Sequence, residues 1–312
     1  MASSTAPRDP QEALERLTHF FAPQQNRQGW LARGLLAMRN RHDQELRDAL
    51  VQAWSREGPI RGGLLAVAWR VHEFLDLEEP PDSPAPGQLL VWILAQQDKP
   101  GAFGEDWIAS DEITRRFPGR LTGFFSPGPP PPKARIAPVT LPNGKVFRAE
   151  AAARFAVSCV ALRAVLRAGL GGRADIRAHL QSLTMLLRYV TWGLGYLPPD
   201  AVLVALHALA AAGPGQRENL VNCVSWVVSH QQDDGTWPHA DLFVVLEVLV
   251  AARTREGARA LERAMRTLLS RQRLDGTFGP TAKEERALIG LRTLLQVEEP
   301  VVGPAPHRRA GE

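Results

Sequence analysis

The chain has 312 residues, 45% of them hydrophobic and 22% charged, with a formal net charge of +4 and a pI near 9.5. That balance places it among soluble globular proteins with a substantial core. Its basic residues are dispersed rather than gathered into a stripe with exposed aromatics, which argues against a nucleic-acid partner. The N-terminus lacks the apolar core of a signal peptide, and no run approaches the length of a membrane span. Cys159 and Cys223 sit in apolar helical patterns and read as reduced, buried thiols. The expectation is a cytoplasmic protein, compatible with a peripheral visit to a membrane to collect a greasy substrate.

Apolar spacing, caps and breakers predict helices in chain order near 10–21, 29–39, 42–55, 62–76 and 87–97, then 149–168, 173–190, 200–212, 216–231, 241–253, 257–271 and 283–296. The helices that begin at Asp200 and Asp241 are apolar all round, whereas 257–271 carries Arg and Glu on one face. A helix apolar on every side is enclosed, and one with a charged face meets water. Alternation of the two kinds predicts inner and outer layers. Six pairs make an all-α, (α/α)6 barrel over residues 1–300, with 301–312 as a flexible tail.

One phrase recurs at the joints. Gln231–Trp237 reads Gln-Gln-Asp-Asp-Gly-Thr-Trp, and 41 positions later Gln272–Phe278 reads Gln-Arg-Leu-Asp-Gly-Thr-Phe; a weaker copy spans Gln97–Phe103. Asp-Gly supplies a turn, since glycine accepts positive φ and Asp bonds its own backbone. The Gln amide is placed to satisfy backbone groups freed at a helix end, and the aromatic to clamp the turn by burial. A fixed period near forty signals one supersecondary unit stacked on itself. The period breaks once, over 98–146, where Pro127, the run Pro129–Pro132 and Asn143-Gly144 replace any helical pattern. With Phe103, Trp107, Phe124, Phe125, Phe147 and many Arg and Lys, this insertion reads as a lid over one mouth of the barrel rather than as a linker.

Gln-x-x-Asp-Gly-Thr-Trp/Phe at this period, followed by Ala/Leu/Val helices, resembles the squalene cyclase and protein prenyltransferase repeat superfamily over about residues 86–296. In size the chain is similar to single-domain class II terpene cyclases. The resemblance implies proton-initiated, metal-independent cyclisation of a linear isoprenoid or prenylated substrate in a hydrophobic barrel cavity, with no cofactor. Other outcomes of the same fold are a lyase or cyclase for another hydrophobic metabolite, or a non-catalytic barrel that binds a lipid or protein. The sequence departs from the family pattern in lacking Asp-x-Asp-Asp: the segment at Asp241 carries one acid only. Class I ionising motifs are also missing, and neither cysteine lies in the Asp-x-Cys of a prenyltransferase zinc site.

Such chemistry needs a carboxylic acid kept protonated by desolvation. Asp106 and Asp111 lead the candidates because they flank Trp107 and precede Arg115-Arg116 in the insertion. Asp200 and Asp241 follow, with helix N-capping as their competing role. Glu247, inside an apolar helix, is either the acid or half of a buried pair. Trp69, Phe74, Phe155 and Phe243 offer aromatic faces to a cation, or simply pack the core. His72 and His207 are candidates to orient the acid or take the final proton, and Arg115 and Arg116 to hold a charged head group.

Overall fold

The computed structural model describes residues 9–57, 63–97, 136–187 and 198–298. Twelve α-helices lie among them: α1 (Pro10–Phe21), α2 (Arg27–Leu35), α3 (Arg41–Arg56), α4 (Gly63–Asp76), α5 (Pro84–Ala95), α6 (Glu150–Arg167), α7 (Ala174–Leu187), α8 (Pro199–Ala210), α9 (Arg217–Ser229), α10 (Leu242–Ala252), α11 (Arg255–Arg271) and α12 (Lys283–Glu298). The even-numbered helices form a closed ring. α2 packs on α4, α4 on α6, α6 on α8, α8 on α10, α10 on α12, and α12 returns to α2. The odd-numbered helices lie outside it, α5 against α4, α9 against α8 and α10, and α1 against both α2 and α12. This is the expected all-α, (α/α)6 barrel.

Burial follows the two layers. Every residue from Pro199 to Leu209 of α8 is buried, and α10 buries eight of its eleven. Outer helix α11 instead buries Gly257, Ala260, Leu261, Ala264, Met265 and Leu268, a three–four spacing that leaves its charged face in water. Cys159 is buried in α6, while Cys223 on outer helix α9 is only half-buried, and the two form no disulfide. Among the described residues no helix is long and apolar enough to cross a membrane.

The recurring phrase is the joint between successive outer helices. Gln231 donates from Nε2 to Gly235 O of its own turn at 3.1 Å and to Ala260 O in α11 at 2.9 Å. Gln272 reaches in the same way from its turn to Ala13 O in α1, at 3.1 Å, and so closes the outer ring onto the first helix. The weak copy keeps the logic with other partners: Gln97 donates to Asp175 at 3.0 Å and meets His179 at 2.7 Å, both on α7. Within each good copy Asp234 or Asp275 accepts from the Thr two residues on, at backbone and hydroxyl. Trp237 donates its indole N–H to Val227 O at 2.9 Å, and Phe278 packs on Phe243 with centroids 5.4 Å apart. Burial of both rings makes them structural clamps, as read from the sequence.

Gly235 and Gly276 both have φ of 82°. A Cβ on Gly235 would overlap the Arg263 carbonyl oxygen, and one on Gly276 would lie 2.7 Å from Arg16 O, so each turn backs directly onto the next outer helix. Gly235→Ala is expected to cost about 2 kcal/mol or more, from the left-handed conformation alone plus the forced separation of helices. Thermal unfolding checks this, and an unchanged midpoint would show that the joint yields without cost.

The insertion ends in a short antiparallel hairpin, β1 (Val139–Thr140) with β2 (Val146–Phe147), which the sequence reading treated only as an irregular segment with a turn. Gly144, at φ 86°, makes the turn possible, and its N–H bonds Leu141 O at 2.8 Å.

Candidate functional site at the barrel mouth

Hairpin tip and inner helices meet around a cavity of about 30 Å3, lined by Trp69 of α4, Val160 and Arg163 of α6, Val204 and His207 of α8, Val244, Glu247 and Val248 of α10, and Leu141, Pro142 and Asn143 of the hairpin. Such a volume holds roughly two waters. The tip is held by three different inner helices. Asn143 Nδ2 donates to Glu247 Oε2 at 2.9 Å, Lys145 pairs with Asp200 in the first turn of α8, and Arg286 of α12 donates from Nε to Asn143 O at 3.0 Å.

Glu247 interrupts an otherwise apolar helix and turns its carboxyl to this cavity. Beyond Asn143, its neighbours are His207 Nδ1 at 3.7 Å and Arg163 at 3.9 Å, both past hydrogen-bond length. Burial pushes the Glu247 carboxyl above its ordinary value and Glu285 adds to the rise, against the downward pull of Arg163, Asn143 and Arg292. Burial also pushes His207 well below the usual imidazole range, helped by Arg163. His72, buried beside Val160 O at 3.2 Å and Arg167 at 3.1 Å, is lowered by burial and by the same arginines. Both imidazoles are therefore neutral bases at pH 7.

Past Trp69 the axis is ionic. Asp76, two helical turns along α4, accepts from Arg167 of α6 at 2.7 Å and pairs with Arg27 of α2; Arg27 reaches on to Glu285 of α12 at 2.5 Å, where Gln28 also donates at 3.1 Å. Four inner helices are tied in one network, and the guanidinium of Arg27 lies 5.4 Å from the Trp69 ring. Between this network and the hairpin, Trp69, Val160, Val204, Val244 and Val248 give the cavity an apolar wall into which Arg163, His207 and Glu247 are set.

Comparison with solved structures identifies the architecture. The chain matches a variant of the type II terpene cyclase MstE from Scytonema in complex with its substrate, geranylgeranyl dihydroxybenzoate (TM-score 0.52, 15% identity, 92% of this chain and 97% of that one). A second variant with the same substrate (0.50, 13%, 92% and 96%) and a third without ligand (0.51, 14%, 92% and 95%) match alike. The fold is terpene cyclase-like. At these identities the likeness carries the architecture and not the activity. Neither a protein-family model nor a curated protein matches the sequence.

Within this terpene cyclase-like barrel the candidate residues fall into three groups. Asp106, Trp107, Asp111, Arg115 and Arg116 lie outside the described residues. Trp69, His207 and Glu247 come together at the cavity, with His72 one turn along α4 from Trp69. Phe155 and Phe243 are enclosed in the core rather than set on the cavity wall, and Phe243 carries the Arg286 guanidinium 4.8 Å above its ring. Asp241 caps α10 by accepting from Phe243 N at 2.9 Å, and its other oxygen bridges Arg286 at 3.0 Å. Asp200 does not cap its own helix; it accepts from Asp241 N at 2.8 Å and so fastens the head of one inner helix to the next.

Sequence reasoning passed over Arg163, Asn143 and Asp76. For Arg163 a signal was there: like Glu247, it is a charge amid Ala, Val and Leu in an enclosed helix. Asn143 carried none beyond its turn propensity.

Proposed function

We propose that this protein is a class II-type terpene cyclase in which Glu247 is the general acid. The observation that carries the reading is the Glu247 carboxyl itself, only 14% exposed on an apolar inner helix and lining the cavity with Trp69. Desolvation raises such a group and favours its protonated form, the form a proton donor to an alkene needs. Trp69 presents a π face beside the acid, where a tertiary carbocation would form, and the valines offer no nucleophile to trap it. Neutral His207, 3.7 Å from the acid, is placed to receive a proton at the end of the reaction. The fold neighbours, two of them solved with a geranylgeranyl dihydroxybenzoate substrate, support a linear or prenylated isoprenoid as the ligand class. The chemistry needs no metal.

An isoprenoid does not fit in 30 Å3, so entry requires the hairpin tip around Leu141, Pro142 and Asn143 to leave. Asn143→Ala with Lys145→Ala is expected to speed hydrogen exchange at the Leu141 and Gly144 amides at least about tenfold by loosening the tip. Unchanged exchange would mean that strand pairing alone holds it.

A second reading, a non-catalytic barrel that binds a lipid or protein, is favoured by the same small cavity and by the ionic axis. Incubation of the purified protein in EDTA with linear prenyl diphosphates and prenylated benzoates, scored by mass spectrometry for isomeric cyclic products, decides between them. Cyclic product supports the cyclase. Its absence across the panel, with the protein folded, supports the binding barrel.

A further inference from the structure

The side-chain amide of Asn143 is fixed in one orientation. Its Oδ1 accepts from Lys145 N within the hairpin turn at 3.1 Å, so Nδ2 is the atom turned to α10, where it donates to Glu247 Oε2 at 2.9 Å. Asn143 is itself buried, and its backbone oxygen accepts from Arg286 Nε at 3.0 Å. The tip thus brings one oriented donor to one oxygen of the Glu247 carboxyl.

That contact makes the two carboxyl oxygens inequivalent. An amide NH2 donates and cannot accept, so Oε2 must act as the acceptor, and the carbonyl oxygen of a carboxylic acid is its better acceptor. The proton is thereby drawn to Oε1. The neighbours of Oε1 are His207 Nδ1 at 3.7 Å and Arg163 Nη1 at 3.9 Å, both past hydrogen-bond length, and all three residues line the cavity. Among the described residues nothing accepts a hydrogen bond from a proton at that oxygen.

We propose that Asn143 is a positioning residue for the acid: it places the transferable proton on Glu247 Oε1, and only while the hairpin tip is seated, which makes protonation of the substrate conditional on closure. The inference rests on the reading of Glu247 as the general acid. In the step itself the Oε1–H bond breaks and its electron pair stays on the carboxyl. The π pair of the alkene forms the new C–H bond and leaves the cation on the adjacent carbon. The carboxylate so formed keeps the Asn143 donor on Oε2, a bond that strengthens as negative charge develops. Donor and anchors belong to one turn of chain, since Arg286 holds the Asn143 backbone and Lys145 pairs with Asp200. Entry that lifts the tip therefore withdraws the donor too. The acid is oriented again once the tip has returned and water has been excluded.

Infrared difference spectra of the full chain test this, each protein being measured against its own Glu247→Gln counterpart at about pH 6, where ordinary carboxylates are ionised. The difference isolates the C=O stretch of a protonated Glu247, and a carbonyl that accepts a hydrogen bond absorbs at lower wavenumber than a free one. The band is expected in wild type, close to the same place in Lys145→Ala, which loses a tip anchor but keeps the donor, and at higher wavenumber in Asn143→Ala. Circular dichroism confirms that each variant is folded. In turnover of a prenylated benzoate, kcat is expected to fall at least about tenfold in Asn143→Ala and by less in Lys145→Ala. A band that stays in place in Asn143→Ala overturns the inference and leaves the acid standing. Equal losses of kcat in the two variants assign Asn143 to holding the tip alone and overturn it as well. Absence of the band from wild type overturns the protonated acid, and this inference with it. The spectrum needs no substrate, so it reads the donor whether or not turnover is seen.

Discussion

Glu247→Gln is expected to remove cyclic product almost completely, by about 100- to 10,000-fold in rate, the usual share of a positioned general acid. Glutamine keeps the shape and still accepts from Asn143, so the hairpin contact survives while the transferable proton does not. The pH profile supplies an independent sign. Burial raises the Glu247 carboxyl, so its protonated, active form persists above the range where an ordinary glutamate is already ionised. Wild-type rate should be flat at low pH and fall as pH rises through that raised value; the residual rate of the variant should lose this limb. Asp241→Asn is the companion measurement. Asparagine caps helices as well as aspartate does, so α10 keeps its head and only the bridge to Arg286 is lost, with an effect below about tenfold on rate. Should Asp241→Asn abolish turnover while Glu247→Gln does not, the proton comes from the helix head and the Glu247 reading fails.

What the sequence made legible, and what it did not, divides along a physical line. Ring and layers were readable because enclosure on every side demands the largely apolar character of α8 and α10, and because the same Asp-Gly turn recurs after two successive outer helices, α9 and α11. Even the long-range reach of Gln272 to Ala13 follows from that rule once the ring is closed. Glu247 was readable for the complementary reason, a carboxyl where a helix should hold none. The ionic axis was not. Arg27 and Asp76 sit at the two ends of helices separated by 49 positions, where charged residues are ordinary, and nothing local distinguishes a charge that turns inward from one that meets water. The hairpin tip was hidden likewise: Asn143 looks like any turn residue until its amide is found 104 positions away on Glu247.

Asp76→Ala is expected to destabilise the fold by about 3–5 kcal/mol, since removing one partner of a buried ion network leaves the others desolvated and uncompensated. Asp76 is the point where two arginines converge, Arg27 at 4% side-chain exposure and Arg167 at 25%, so its loss strands a nearly enclosed cation and a partly open one. Arg27 retains Glu285, which bounds the damage at that end. For a chain of this length the thermal midpoint should fall on the order of 10 °C. The linkage to pH has a definite direction. Burial alone would raise the Asp76 carboxyl, but Arg167 and Arg27, with Arg292 behind them, outweigh it and hold the group well below the usual carboxylate range. A depressed folded value means stability that is fully present above the unfolded value near 4 and is lost as pH falls below it. Wild type should therefore lose stability steeply between about pH 4 and pH 2, and Asp76→Ala should show a shallower loss over the same interval. Equal slopes for the two proteins would place the acid sensitivity elsewhere. A midpoint unchanged at pH 7 would mean that solvent reaches Arg27 and Arg167 more freely than their burial implies, and the ionic floor of the cavity would no longer stand as a fixed boundary for the substrate.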